Sequence, residues 1–248
     1  MRQFSLKLIL SLFLLSPSCL HANSCMPYSG ETLTFSIGWE FIDAGTTVMR
    51  YSEQGPDGYR LHTDARTNKF FDIFKKVRDT MISEGTCVDQ KMQSTLFQLD
   101  QLERKYTASK TSQFLWQENK VAYSHNGNNE LFDVPQGHLN VLDAFTMLRT
   151  LDFKQGETLK IPVFDARKIY QVNIIIEEKT QMMKLPSGER VECVVVEPRL
   201  ETEGVFSSTG KIKIWMTNDP RHIPVQMSAS IKIGRIMARL VDYQQASQ

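Results

Sequence analysis

The stretch WMTNDPRHIPV, residues 215 to 225, places Asp219, Arg221 and His222 within four positions. A carboxylate and an imidazole that converge can move a proton in acid–base catalysis, and an arginine beside them can hold an anion. The same residues also suit a hairpin corner. Asn218 and Asp219 have side chains that bond turn amides, Pro220 fixes φ, and Pro224 favours an extended residue at 223. The corner needs no distant group to arrive, so it is the preferred reading, with an Asp219–Arg221 contact tying it. It closes the alternating run KIKIWMT, in which Trp215 shares a face with Lys211 and Lys213.

No other spacing organises chemistry. Four histidines lie beyond residue 22, at His62, His125, His138 and His222, and they form no HExxH pair. No cysteine–histidine set has the spacing of a zinc site. QGPDG and HNGNN lack the lysine of a phosphate loop, and there is no GxSxG elbow. Ser207-Ser208 in VFSSTG would become a nucleophile only if a histidine and an acid converged on it. The expectation is therefore no catalytic residue, no metal ligand and no cofactor. A hydrolase whose site is not recognisable in sequence is kept as an alternative.

The chain opens with Arg2 and Lys7, an apolar run from Leu8 to Leu15, and small or polar residues through Ala22. That layout is a secretory signal peptide, too short to span a membrane comfortably. Residues 1–22 are read as the leader and 23–248 as one β-rich periplasmic domain. A lipid anchor is the weaker alternative, because Ser16 and Ala22 stand where a leucine-like residue should precede Cys19 or Cys25. The mature chain keeps Cys25, Cys87 and Cys193. An oxidising compartment permits one bridge, but sequence does not choose its partners. Cys193 also reads as an apolar strand residue in VECVVVE that never pairs; Cys25–Cys87 is the preferred bridge if one forms.

Without Arg2 and Lys7, the 29 Lys plus Arg become 27 against 28 Asp plus Glu. A near-neutral, dispersed charge gives no pull toward nucleic acid. The elements that must position any site are mostly short strands. ETLTFSIGWE puts Leu33, Phe35 and Ile37 on one face, and residues 31 to 66 read as three antiparallel strands. VRDTMISE, TLFQLDQLERKYTAS and SQFLWQENKVAYSHN supply two or three more, and HNGNNE reads as an exposed turn. FFDIFKKV is a short helix or a lead into a strand, with Phe70, Phe71 and Phe74 expected in the core. The clearest helix is NVLDAFTMLR. Asn140 caps it, Asp143 completes a near capping box, Val141, Leu142, Phe145 and Leu148 form its apolar stripe, and Arg149 falls in the last turn. Gly234-Arg235 suits a tight bend or bulge.

Three segments carry a resemblance in order: YSGETLTFSIGWEFIDAGT, NVLDAFTMLRTLDFKQGE and GKIKIWMTNDPRHIPVQMSASIKIGRIMARL. The chain resembles the exported Gram-negative bacterial proteins of domain-of-unknown-function family 3108. The family pattern falls here on Asp143, Arg149, Trp215, Asp219, Arg221, Pro224 and Gly234, which become the candidate structural or interaction residues. The bulky WEF at 39–41 departs from a pattern that is smaller and richer in glycine. The resemblance implies an envelope location but carries no reaction.

The expected fold is mainly β, with α+β character. A curved, mostly antiparallel sheet or open half-barrel has one main helix packed on or across it, by analogy with lipoprotein carriers. The expected function is a non-enzymatic periplasmic module, structural or protein-binding. The alternative is a carrier for a lipid, lipoprotein or other apolar ligand. No transmembrane segment is expected in the mature chain.

Overall fold

The structure is a computed structural model that describes residues 25–40, 42–201, 211–231 and 234–245. The leader, Cys19 and Ser207-Ser208 lie outside the described residues. In chain order the elements are β1 Thr32–Trp39, β2 Ile42–Gln54, β3 Gly58–Thr67, α1 Lys69–Lys75, β4 Val77–Val88, β5 Lys91–Glu103, β6 Tyr106–Leu115, β7 Lys120–His125 and β8 Asn128–Asp133. After these come α2 Val141–Leu148, β9 Thr158–Asp165, β10 Lys168–Ile176, β11 Gln181–Lys184, β12 Arg190–Glu201, β13 Ile212–Thr217, β14 Pro224–Ser230 and β15 Arg235–Gln244.

Alternation decides these strands, and turn residues end them. Leu33 and Phe35 are fully buried between half-exposed threonines, as period two requires. Asn126-Gly127 takes two positive φ values, 50° and 83°, the backbone of a two-residue hairpin turn. HNGNNE is thus a turn only at its start; Asn128 already belongs to β8. TLFQLDQLERKYTAS and SQFLWQENKVAYSHN each contain a hairpin, so the region holds more strands than the two or three expected. Polar turn residues inside each segment (Arg104-Lys105, Glu118-Asn119) make that break.

The fifteen strands of the described residues form one antiparallel sheet, in the order β8-β7-β6-β5-β4-β3-β2-β1-β15-β14-β13-β12-β10-β9, with β11 beside β12. Register shifts at Thr34/Phe35, Ile37/Gly38, Glu84/Gly85 and Trp215/Met216 bend it. The end strands β8 and β9 do not pair with each other, so the sheet remains open. They approach through side chains: Phe132 meets Phe164 at 5.7 Å between ring centroids, and Arg167 binds Glu130 at 2.5 Å. The link from β8 to α2 finishes the wrap, Leu139 bridging to Val163 in parallel sense. This curved antiparallel sheet with one main helix across it matches the expected fold.

Two apolar clusters fill the concavity, one around Phe35, Tyr51, Leu61 and Phe114, the other around Ile161, Val194, Val196 and Met216. α1 contributes to neither: none of its residues is buried. The core expectation for Phe70, Phe71 and Phe74 is therefore wrong. Asn68 caps α1 at the end of β3, and β4 restarts at Val77, which leaves the helix standing on the rim of the sheet.

Cys25 is bridged to Cys87, 62 positions away, and Cys193 is a buried free thiol in β12. The bridge ties the segment ahead of β1 to the end of β4. Closing a loop of that length is worth about 4 kcal/mol by chain entropy. Reduction should accordingly lower the urea midpoint of unfolding; an unmoved midpoint would show that the bridge contributes nothing.

Candidate functional site

The residues with chemical potential gather around α2. Asn140 caps the helix, its Oδ1 accepting from the amides of Leu142 and Asp143 at 3.0 and 3.1 Å. The reciprocal half of a capping box is missing. Asp143 does not reach back to the Asn140 amide, which donates to Ser94 Oγ instead. Asp143 turns into the sheet beside most of the stripe read from the sequence of α2: Leu142 and Leu148 are buried, and Phe145 packs half-buried against the core. The buried residues of the helix are Leu142, Asp143, Thr146 and Leu148, with Arg149 just beyond, while Val141 faces out. The inward face is half polar.

Asp143 has no exposed surface. Tyr59 donates to its Oδ2 at 2.8 Å, Ser83 to Oδ1 at 2.6 Å, Asn140 Nδ2 to Oδ2 at 2.9 Å, and Ser94 Oγ completes the set. β3, β4 and β5 supply three of these donors. Gly85 makes room for them: a Cβ there would lie 2.2 Å from the Tyr59 hydroxyl. Burial pushes the Asp143 carboxyl up to about 6 against the pull of its four donors. Burial, and then the Asp143 charge, also push the Tyr59 phenol far up. Neither group meets solvent.

Arg149 sits at the C-terminal cap of α2, fully buried. Its Nη2 pairs with Glu31 at 2.8 Å and donates to the carbonyl of Arg221 at 3.1 Å, while Nε donates to the carbonyl of His222 at 3.2 Å. Nη1 has no acceptor. The guanidinium carbon instead lies 3.6 Å from the ring centre of Tyr28 and 5.3 Å from that of Tyr51, where ring faces favour a cation. Glu31 also accepts from Tyr243 at 2.8 Å, and Tyr28 donates to the Arg149 carbonyl at 2.5 Å. Burial works against the Arg149 charge, but Tyr51, Glu31 and Tyr28 together hold its pKa above the ordinary value.

The corner 218–222 closes this network from outside. Asp219 Oδ1 accepts from the Arg221 amide at 2.9 Å and from Thr217 at 3.2 Å, and Oδ2 pairs with Arg221 at 2.6 Å. Burial opposes its charge, yet Arg221 and Thr217 still hold the Asp219 carboxyl below its usual range. The His222 ring points to the Arg149 carbonyl at 2.7 Å and lies 4.5 Å from the ring of Phe153. Trp215 donates to Gln181 at 2.9 Å on the outer face of β13, Pro224 opens β14, and Gly234 turns with φ +80° where a Cβ would press on Glu40.

The structure thus brings Arg149, Asp219, Arg221 and His222 to one corner and keeps Asp143 in a separate buried pocket. Trp215 stands outside both, and Gly234 lies at the opposite end of the sheet. The other histidines scatter: His62 is on β3 near Asp64, His125 at the end of β7, and His138 bonds the Pro135 carbonyl. Among the described residues no three His, Cys, Asp or Glu side chains converge as a metal site. Sequence reasoning passed over Tyr28, Glu31, Tyr51, Tyr59, Ser83, Ser94 and Tyr243. The available signal was a serine at inward-facing strand positions otherwise held by apolar residues.

Two depressions flank α2. One of about 550 Å³ is lined by Cys25, Met92, Trp116, Leu139 and Met147 among others. The second, about 500 Å³, lies over Tyr28, Phe153, Asp219 and His222.

A family model described as a protein of unknown function, DUF3108, matches residues 34–241. The chain belongs to that family. Among solved structures it is similar to a β-barrel-like protein of the domain of unknown function DUF1849 from Brucella abortus. The identity is 10%, the match covers 88% of this chain and 98% of that one, and the TM-score is 0.58. That likeness concerns the fold. Comparison with curated proteins gives no match.

Two outcomes follow from the buried charges. Arg149→Met should cost roughly 3–5 kcal/mol, because Glu31 stays buried without its cation; denaturant unfolding measures this, and a loss under 1 kcal/mol would contradict the assignment. The Asp143 carboxyl, raised from 3.8 when folded, stabilises fully below about pH 4 and loses that contribution as pH rises through about 6. The stability gap between the parent and Asp143→Asn should therefore narrow by up to about 3 kcal/mol between pH 4 and 7. A gap that widens over that interval would contradict it.

Proposed function

We propose that this DUF3108 protein is a non-enzymatic module of the Gram-negative cell envelope, exported to the periplasm, that acts by structural or protein–protein contact. One observation carries the reading: the two ionised groups of α2, Asp143 and Arg149, are wholly buried and their hydrogen bonds go to the protein itself. A catalytic acid or base must reach a reacting atom. Here the carboxylate is enclosed by its donors, and the guanidinium is spent on Glu31 and two carbonyls. The His222 ring is committed to the Arg149 carbonyl and Phe153, and the more exposed Arg221 to Asp219. The compartment rests on the leader pattern of residues 1–22, and the Cys25–Cys87 bridge supports it.

A second reading, the carrier, is favoured by the 550 Å³ depression beside Met92, Trp116 and Met147, whose size suits a small ligand and whose lining mixes these apolar groups with Asp89, Lys91, Gln93 and Gln136. Photo-crosslinking in cells from Asn218 and from Gln136, with native mass spectrometry of the protein taken from the periplasm, separates the two. A recurrent protein adduct and a ligand-free mass are expected. A lipid recovered repeatedly, and displaced by Met147→Trp, would replace the module reading with the carrier.

The corner gives a companion test. Asp219→Ala should lower stability by roughly 0.5–2 kcal/mol through loss of its turn contacts, with or without a partner present. A variant that melts like the parent but loses its crosslink would make Asp219 a recognition residue.

A further inference from the structure

The end of the sheet opposite α2 carries a different surface. Phe70, Ile73 and Phe74 of α1 are 62%, 79% and 60% exposed. The rings of Phe70, Phe71 and Phe74 lie 5.5 to 6.4 Å apart, so they form one apolar knob. The helix is fixed rather than loose: Asn68 caps Phe71 at 2.9 Å, and Asp72 is held by Arg78 at 2.6 Å. Strand register sets further exposed apolar groups on the same rim. Trp39 pairs with Ile42 across the β1–β2 turn and with Ile236 on β15, and Tyr106 pairs with Glu103, which faces Val77 just after α1.

The charge left over on this rim is positive. Asp72 is paired with Arg78 and Glu103 with Lys75, which leaves Glu40 and Asp43 against the larger number of cations Lys69, Lys76, Arg104, Lys105 and Arg235. Lys69, Lys76, Arg104 and Lys105 form no ion pair among the described residues. Arg104 and Lys76 are neighbours, joined by a backbone hydrogen bond of 2.6 Å. A helix with an apolar knob bordered by lysines fits the headgroup region of a bilayer. Its rings would reach the acyl boundary while the cations meet phosphates. Trp39 and Tyr106 are the residue types that settle at that depth. A second copy seated on this rim would bring the same cations face to face, which charge complementarity disfavours.

We propose that this rim docks on an anionic phospholipid bilayer, with Phe70, Ile73 and Phe74 inserted and Lys69, Lys76, Arg104 and Lys105 on the lipid phosphates. This stands independently of whether the α2 end binds a protein or an apolar ligand.

The test is co-sedimentation with vesicles of phosphatidylcholine alone and of phosphatidylcholine with phosphatidylglycerol. Parent and variants are compared in the same processed form, since an uncleaved leader would itself bind lipid. Binding to the anionic vesicles, weakened by salt, is expected. Phe70→Ser/Ile73→Ser/Phe74→Ser should reduce it at least tenfold, and Lys69→Gln/Lys76→Gln/Arg104→Gln/Lys105→Gln by about fivefold per cation that touches the surface. Both variants should melt like the parent; if the first unfolds, the charge variant alone decides. No binding, equal binding to neutral vesicles, or binding that survives the substitutions would overturn the proposal. So would a dimer or a protein adduct that the serine variant abolishes while vesicle binding stays unchanged.

Discussion

An ionised guanidinium without solvent contact must have its charge and donors met by the protein, and Arg149 imposes that requirement on four separate parts of the chain. Glu31 precedes the first strand, Tyr51 lies in β2, the carbonyls of 221 and 222 belong to the corner, and Tyr243 in the last strand secures Glu31. Asp143 makes the matching demand on β3, β4 and β5. The two anchors are six residues apart on one helix, about 9 Å along its axis. A sheet whose end strands do not pair is thereby held around a helix of only eight residues.

This explains which parts were legible in sequence. Strand alternation reports one residue's relation to its own face, so β1 was read from Leu33, Phe35 and their neighbours, and β3 from the run that follows the Gly-Pro-Asp-Gly turn. The corner was legible because Asn, Asp and Pro act locally. The face of α2 was legible only in part: Leu142, Phe145 and Leu148 do pack inward, but the stripe gave no sign that Asp143, Thr146 and Arg149 are buried beside them. The partners of these polar groups lie as far off as Tyr59 and Glu31, and no helical period registers them. Phe70, Phe71 and Phe74 misled for the opposite reason. Apolar residues at helical spacing imply a core only if another element lies beneath them, and α1 stands on the rim instead.

The two ends of the molecule differ in surface. At the α2 end, Asp143, Arg149 and Glu31 are buried and bonded within the closure; the surface there is shaped by depressions beside Trp116 and over His222. At the α1 end, charge and apolar surface both face outward. The candidate residues implied by the family resemblance follow this division: Asp143, Arg149, Asp219 and Arg221 belong to the closure, and Gly234 to a turn at the far rim beside Trp39 and Glu40. The family match reaches from Thr34 in β1 to Val241 in β15, and Tyr28, Glu31 and Tyr243 of the Arg149 network lie just beyond its ends.

The central claim is that α2 is locked into the sheet by the hydrogen bonds of buried Asp143 and Arg149 and cannot leave while the sheet persists. Native-state hydrogen exchange of the α2 amides tests it most directly. The amides of Thr146, Met147 and Leu148 should exchange only through global unfolding, with the same free energy and denaturant dependence as those of Tyr59 and Ser83 in the sheet. Exchange of the α2 amides through a separate, lower-energy opening, while the strand amides stay protected, would show that the helix is a detachable lid and contradict the account.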